Sequence, residues 1–154
     1  MLCNGAIAWG ARKLRIVRDS TAEAETAVAS RAAKETIAVR MILDDIRMGV
    51  HGPTPLFGDC QAARDIITKP GSTQRTRYFE RSTMLVKQMY MMHIVSPIII
   101  STDDQVADIF TKSLHRDKFG KHREYMLNLD RNGNTLGAFS ANARRLWKQL
   151  RSVA

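Results

Sequence analysis

The chain has 154 residues, with 24 lysines and arginines against 15 aspartates and glutamates, for a formal net charge of +9. That length fits one ordinary domain with a tail, and the excess of base points to a polyanion, nucleic acid ahead of an acidic membrane surface. No apolar run approaches the ~20 residues that cross a bilayer, and two cysteines, Cys3 and Cys60, exclude a disulfide framework or a CxxC zinc site.

Taken in chain order, Ala6-Ile7-Ala8-Trp9 and Leu14-Arg15-Ile16-Val17 flank Gly10-Ala11-Arg12-Lys13 and predict a hairpin. No basic leader or cleavage pattern marks the start, so an intracellular protein is expected. Ser20-Thr21-Ala22-Glu23 is a capping box that opens a long helix, residues 20 to 48, with Gly49 as its stop. At about 100° per residue, Val28, Ala32, Val39, Leu43 and Ile46 share a face, with Ser30 and Lys34 opposite. The first set predicts the core side. Leu56-Phe57-Gly58 predicts a buried strand and 61 to 67 a helix. Residues 75 to 90 predict a basic helix, and 94 to 100 a strand that Pro97 interrupts or restricts to its second half. Thr102-Asp103-Asp104-Gln105 reads as a second capping box, opening a helix to Leu114, and another helix follows from 116 to 129. Phe139, Ala143, Leu146, Trp147 and Leu150 then recur at helical spacing in an acid-free basic stretch, so residues 130–154 predict a basic helical tail. The order predicts an α/β fold, with helices packed on a mixed sheet.

The histidines His51, His93, His115 and His122 have no metal-ligand spacing and read as surface or helix-end residues. Both cysteines read as structural. Three carboxylates stand out. Glu25 falls within ~20° of the aliphatic stripe of the long helix, whereas Glu23 falls opposite and has its capping role. An inward acid is costly unless paired, metal-bound or at a rim, so Glu25 is either a rim residue or a functional one. Asp59 follows a strand and precedes a helix, which suits an N-cap as well as a ligand at a strand end. Asp108 either faces a cleft or pairs with Lys112 one turn on, a contact worth ~0.3–0.5 kcal/mol. If the three converge, oxygen donors of this kind suit Mg²⁺, and a two-metal site beside a basic surface suits phosphodiester cleavage.

Several segments recur in order: Ser20-Thr21-Ala22-Glu23-Ala24-Glu25, Ala32-Ala33-Lys34-Glu35, and Pro55-Leu56-Phe57-Gly58-Asp59-Cys60-Gln61-Ala62-Ala63. Arg75-Thr76-Arg77 follows, and then Asp104-Gln105-Val106-Ala107-Asp108-Ile109-Phe110-Thr111-Lys112-Ser113-Leu114. Over roughly residues 5 to 128 this series resembles the C-terminal ribonuclease H domain of copia-type retrotransposon polyproteins. The resemblance implies a mixed sheet flanked by helices and Mg²⁺-dependent hydrolysis of the RNA strand of RNA–DNA hybrids. By motif, Glu25, Asp59 and Asp108 match three of the family's four catalytic, metal-holding carboxylates. Arg75, Arg77, Arg144, Arg145 and Lys148 are the candidate nucleic-acid contacts. The family's first aspartate belongs to a strand before Gly5, for which this chain has no counterpart. Tyr78 stands where histidine is common, and Thr26 replaces an aromatic. The expectation is therefore an N-terminally incomplete domain, residues 1–129, inactive as an isolated fragment. Its implied partners are nucleic acid and the upstream reverse transcriptase segment, with no membrane, in a cytoplasmic particle or nucleus. The alternative is a non-catalytic basic fragment that binds nucleic acid or serves assembly.

Overall fold

A computed structural model describes residues 6–11, 20–70 and 80–129. The chain divides into two compact units: a central one, Leu14–Thr102, and a terminal one formed by Met1–Lys13 with Asp103–Ala154. Among the described residues the architecture is α/β, with four α-helices and a two-stranded parallel sheet. None of the described helices is long and apolar enough to cross a membrane.

In the central unit, helix α1 (Thr21–Asp45) starts as its sequence dictates. Ser20 holds an extended backbone, and its hydroxyl accepts from the Glu23 N–H at 3.2 Å, which satisfies one of the open donors of the first turn. The helix ends before Gly49. Met48 N–H reaches Leu43 O at 2.7 Å and Arg47 N–H reaches Asp44 O at 2.9 Å, while Arg47 takes a φ of 59°. This is a Schellman ending with arginine in the left-handed position that glycine usually fills. A Cβ at Gly49 would meet Asp44 Oδ1 at 2.8 Å, the end of an exposed side chain that can turn aside.

The buried face of α1 differs from the aliphatic stripe expected above. Glu23, Thr26, Ser30 and Ala33 are buried, with Ala29 and Ile37 beside them, whereas Val28 and Ile46 are exposed. Small side chains lie inward because α1 packs against two further helices, and a small contact surface allows close approach. Ala33 is wholly buried in a cluster with Ile67, Val86, Met89 and Val95. The buried Thr26 hydroxyl finds its acceptor locally, donating to Ala22 O at 2.7 Å.

Arg40 fastens the far half of α1 to the chain that follows it. Its guanidinium donates to Val50 O at 3.0 Å, and to Gly52 O and Thr54 Oγ1 at 2.9 Å. Strand β1 (Thr54–Gly58) starts at that point, and helices α2 (Gln61–Thr68) and α3 (Glu80–Met91) come next. Helix α3 covers the described part of the predicted basic helix, whose residues 75–79 lie outside the described residues. Helix α3 repeats the α1 ending, with His93 at a φ of 55°, His93 N–H on Tyr90 O and Ile94 N–H on Met89 O.

Strand β2 (Val95–Ile99) then pairs with β1 in parallel along its whole length, Leu56 standing opposite Pro97. The expected interruption does not occur. Thr54 N–H donates to Ile94 O at 2.8 Å and Ile100 N–H to Gly58 O at 3.0 Å. In a strand, alternate residues turn their backbone groups to opposite sides, so the even-numbered residues of both strands face each other. Pro55 and Pro97 are odd-numbered, and the N–H each lacks would have pointed away from the ladder.

The terminal unit carries two corrections. Ala6-Ile7-Ala8-Trp9 forms no strand; Ala6 N–H donates to Met126 O at 2.9 Å and Trp9 is exposed. Residues 14–17 of the expected hairpin, and the predicted tail at 130–154, lie outside the described residues. The helix expected from Thr102 to Leu114 is only a short 3₁₀ turn, Val106–Phe110. No side chain caps it: the Thr102 hydroxyl donates to Asp59 Oδ2 at 3.1 Å, while Asp103 pairs with Lys118 at 3.1 Å and Asp104 with Lys121 at 2.9 Å. Both lysines belong to helix α4 (Arg116–Leu127), which ends at Asn128 with a φ of 54°.

Replacing Arg47 by glycine removes the left-handed Cβ strain but loosens the unfolded chain. The net expectation is a gain of about 0.5–1 kcal/mol, read as a higher urea midpoint at unchanged slope.

Candidate functional site

Glu25 lies in the first turns of α1 and is half-buried. The inward acid on this helix is Glu23, 7% exposed, beside Thr26 and Ser30. This reverses the helix-face argument that favoured Glu25. That argument followed the aliphatic residues, whereas the helix buries its small ones, so the choice of Glu25 rests on the motif alone. The missed signal was the run Thr26, Ser30, Ala33 at spacings of four and three, continued backward by Glu23.

Asp59 is the first residue beyond β1, half-buried. It is not the N-cap of α2: Cys60 holds that position, and no side chain caps the helix. The carboxylate is turned elsewhere, with Oδ2 accepting from Thr102 Oγ1 at 3.1 Å. Gly58 and Ile99 are register partners and Ile100 donates to Gly58, so the two parallel strands end side by side. Asp59 and Thr102 meet just beyond their C-terminal ends. In α/β sheets that is the edge where ligands collect, because the chain leaving each strand opens a crevice there.

Asp108 belongs to the terminal unit, within the 3₁₀ turn, and is 5% exposed. Lys112 Nζ lies 2.9 Å from its Oδ2, which realises the pairing alternative. On α4, His122 is 1% exposed, and its Nε2 has no hydrogen-bond partner among the described residues. This corrects its reading as a surface or helix-end histidine. Burial lowers its proton affinity, and Lys118 and Lys121 lower it further, against smaller opposing influences from Asp108 and Asp104. Burial also raises the affinity of the Tyr125 hydroxyl for its proton. The candidate nucleic-acid contacts Arg75, Arg77, Arg144, Arg145 and Lys148 lie outside the described residues.

Glu25 and Asp59 therefore sit in the central unit and Asp108 in the terminal one. Within neither unit do three or more described histidine, cysteine, aspartate or glutamate side chains gather as a metal-holding set. The donors nonetheless fit Mg²⁺ in kind. They are hard carboxylate oxygens, and this ion is commonly held by one or two carboxylates with water and substrate phosphate completing its shell. Asp59 has one oxygen committed to a neutral hydroxyl, which leaves its charge uncompensated by that contact.

No family model matches the chain, and no solved structure matches it. Over 116 residues, 75% of the chain, it is 29% identical to the retrovirus-related Pol polyprotein from transposon TNT 1-94 of Nicotiana tabacum. The chain is thus similar to part of a retrotransposon Pol polyprotein. The matched stretch spans 9% of that protein's length.

His122 makes the stability of the terminal unit depend on pH. Below about pH 6.5 the unfolded chain takes up a proton on this residue that the folded chain resists. Stability is therefore full above that pH and declines as the pH falls through it toward the lower folded value. The slope is at most about 1.4 kcal/mol per pH unit. Urea unfolding at several pH values, followed by far-ultraviolet circular dichroism, should show this slope in the parent chain and its loss in His122→Leu.

Proposed function

We propose that this chain is a ribonuclease H-like segment of a retrotransposon polyprotein. Its substrate class is the RNA strand of RNA–DNA hybrids, and Glu25, Asp59 and Asp108 are its catalytic and Mg²⁺-holding carboxylates. The observation that carries this reading is the position of Asp59. An acid flanked by Pro55-Leu56-Phe57-Gly58 and Cys60-Gln61 stands beyond the paired ends of two parallel strands, oriented by Thr102 rather than spent on a helix cap. The relationship to a Pol polyprotein supports it, as does the net charge of +9, which favours a phosphate backbone. Mg²⁺, when bound to such carboxylates, supplies an activated water and steadies the leaving oxygen. The chain's own contribution is to hold Glu25 within helix α1, Asp59 just beyond β1 and Asp108 within the 3₁₀ turn.

The isolated segment is expected to be inactive; among the described residues neither unit by itself gathers three metal-holding side chains. Its implied partner is the reverse transcriptase segment upstream in the polyprotein. A second reading, a non-catalytic basic fragment that binds nucleic acid or serves assembly, draws on the ion pair that already occupies Asp108.

The test is cleavage of an RNA–DNA hybrid in Mg²⁺ or Mn²⁺, by this chain alone and joined to the upstream segment of the tobacco polyprotein. The expected result is no turnover alone and metal-dependent cleavage when joined, reduced at least ~100-fold by Asp59→Asn. Robust turnover by the isolated chain, abolished by Glu25→Gln, would overturn the expected inactivity. Hybrid binding without cleavage by the joined protein would favour the second reading.

A further inference from the structure

Helix α1 has two faces of opposite character, and only one of them is buried. Thr26, Ser30 and Ala33 turn inward with Ile37 beside them, which fixes the core side of the helix. About 180° around the axis lie Val28, Val39 and the C-cap residue Ile46, flanked by Ala32 and Ile42. Val28, Ile42 and Ile46 are 52%, 61% and 57% exposed, while Ala32 and Val39 are half-buried. The larger aliphatic side chains of α1 thus stand in water, and contiguous apolar surface of this kind favours a partner.

The spacing of this face fits a second helix. Val28, Ala32, Glu35, Val39, Ile42 and Ile46 alternate steps of four and three, the repeat by which two helices keep one seam in contact. Beside the seam stand Arg31, Ala38 and Asp45, all exposed. Neither Arg31 nor Asp45 takes part in an ion pair among the described residues. An antiparallel pairing of two such helices is self-complementary. Setting Val28 against Ile46 of a second copy also sets Ala32 against Ile42 and Glu35 against Val39, and the two-fold axis repeats each layer. The same register brings Arg31 opposite Asp45 of the second copy, twice, and the small Ala38 opposite itself at the axis. A parallel pairing would instead oppose Glu35 to Glu35, like charge to like charge. Glu25, three residues before Val28 on the same face, lies beyond the last paired layer.

We propose that the aliphatic face of α1 is a self-association surface, on which a second copy of this chain docks its own α1 antiparallel, in the register that pairs Arg31 with Asp45. This association goes beyond the catalytic reading and needs none of its three carboxylates. Apolar contact supplies the attraction, and the charge pair fixes direction and register. Glu35 opposes the association by placing a charge in the seam, a cost that polar seam positions commonly carry in exchange for a single register.

The test measures the mass of the full chain by sedimentation equilibrium over a concentration series at low ionic strength. The parent is expected to pass from monomer to dimer. Ile42→Glu should abolish the dimer, and Glu35→Leu should tighten it roughly tenfold by removing the charged layer. Arg31→Glu and Asp45→Arg should each weaken self-association about tenfold, because two symmetric pairs become repulsive together. Mixed in equal amounts, these two variants should recover the parent's affinity, since every pair is again opposite in sign. All four positions are exposed, so circular dichroism should show each variant folded; if Ile42→Glu is not, Val28→Ser carries the same expectation. A monomer at every concentration up to ~0.5 mM, in the parent and in Glu35→Leu alike, overturns the proposal. So does a dimer that survives Ile42→Glu, or a mixture no tighter than its components. If the chain stays monomeric but binds the upstream polyprotein segment, and Ile42→Glu removes that binding, the proposal falls and the face belongs to that segment.

Discussion

The central unit depends on the parity of a short parallel ladder. Two prolines in two five-residue strands would ordinarily forbid continuous pairing, since neither can donate a hydrogen bond. Here both fall on residues whose backbone groups face away from the partner strand, so the even-numbered residues carry the whole ladder. The same two prolines remove one donor from each outer edge, which blunts the sheet against unwanted pairing. Because the strands run in register to Gly58 and Ile99, their exits lie together, and Asp59 meets Thr102. A register shift would separate this acid from its hydroxyl partner, so the position of one candidate functional residue follows directly from where the prolines fall.

Helix α1 shows a related economy in side-chain size. Its inward face is made of glutamate, threonine, serine and alanine, a set that a hydrophobicity pattern assigns to solvent. Small side chains permit close packing against α2 and α3, and the bulk of the core comes from Ile67, Val86, Met89 and Val95 on the other elements. Polar atoms on such a face must be satisfied nearby, and Thr26 does so by donating one turn back to Ala22. The far end is held by Arg40, whose three hydrogen bonds to the 50–54 connection join helix to strand without adding apolar contact.

In the terminal unit, ion pairs join the 103–104 segment to α4 and close the turn at Asp108. Asp103 and Asp104 pair with lysines one turn apart on α4, and Asp108 pairs within its own turn. The capping-box sequence yields only a 3₁₀ turn, which no side chain caps; the Thr102 hydroxyl donates to Asp59 instead. His122 is enclosed on α4, and burial lowers its affinity for a proton.

Local chemistry was enough to determine the start of α1, the strand around Leu56, helix α2, helix α4 and the α/β class. Capping hydroxyls, glycine and proline positions and short apolar runs act over a few residues and need no distant partner. The series of motifs also marked Glu25, Asp59 and Asp108 and the relationship to a polyprotein, because side-chain identity in order is itself a sequence property. Tertiary structure alone decided which face of α1 is buried, that Pro97 pairs, that Asp59 serves Thr102 instead of capping α2, and that His122 is enclosed. Each of these depends on what a distant element offers: a helix surface, a strand register, a hydroxyl or a lysine. Periodicity cannot report a partner's shape or charge, which is why it puts Glu23 on the outer face and His122 at the surface although both are buried.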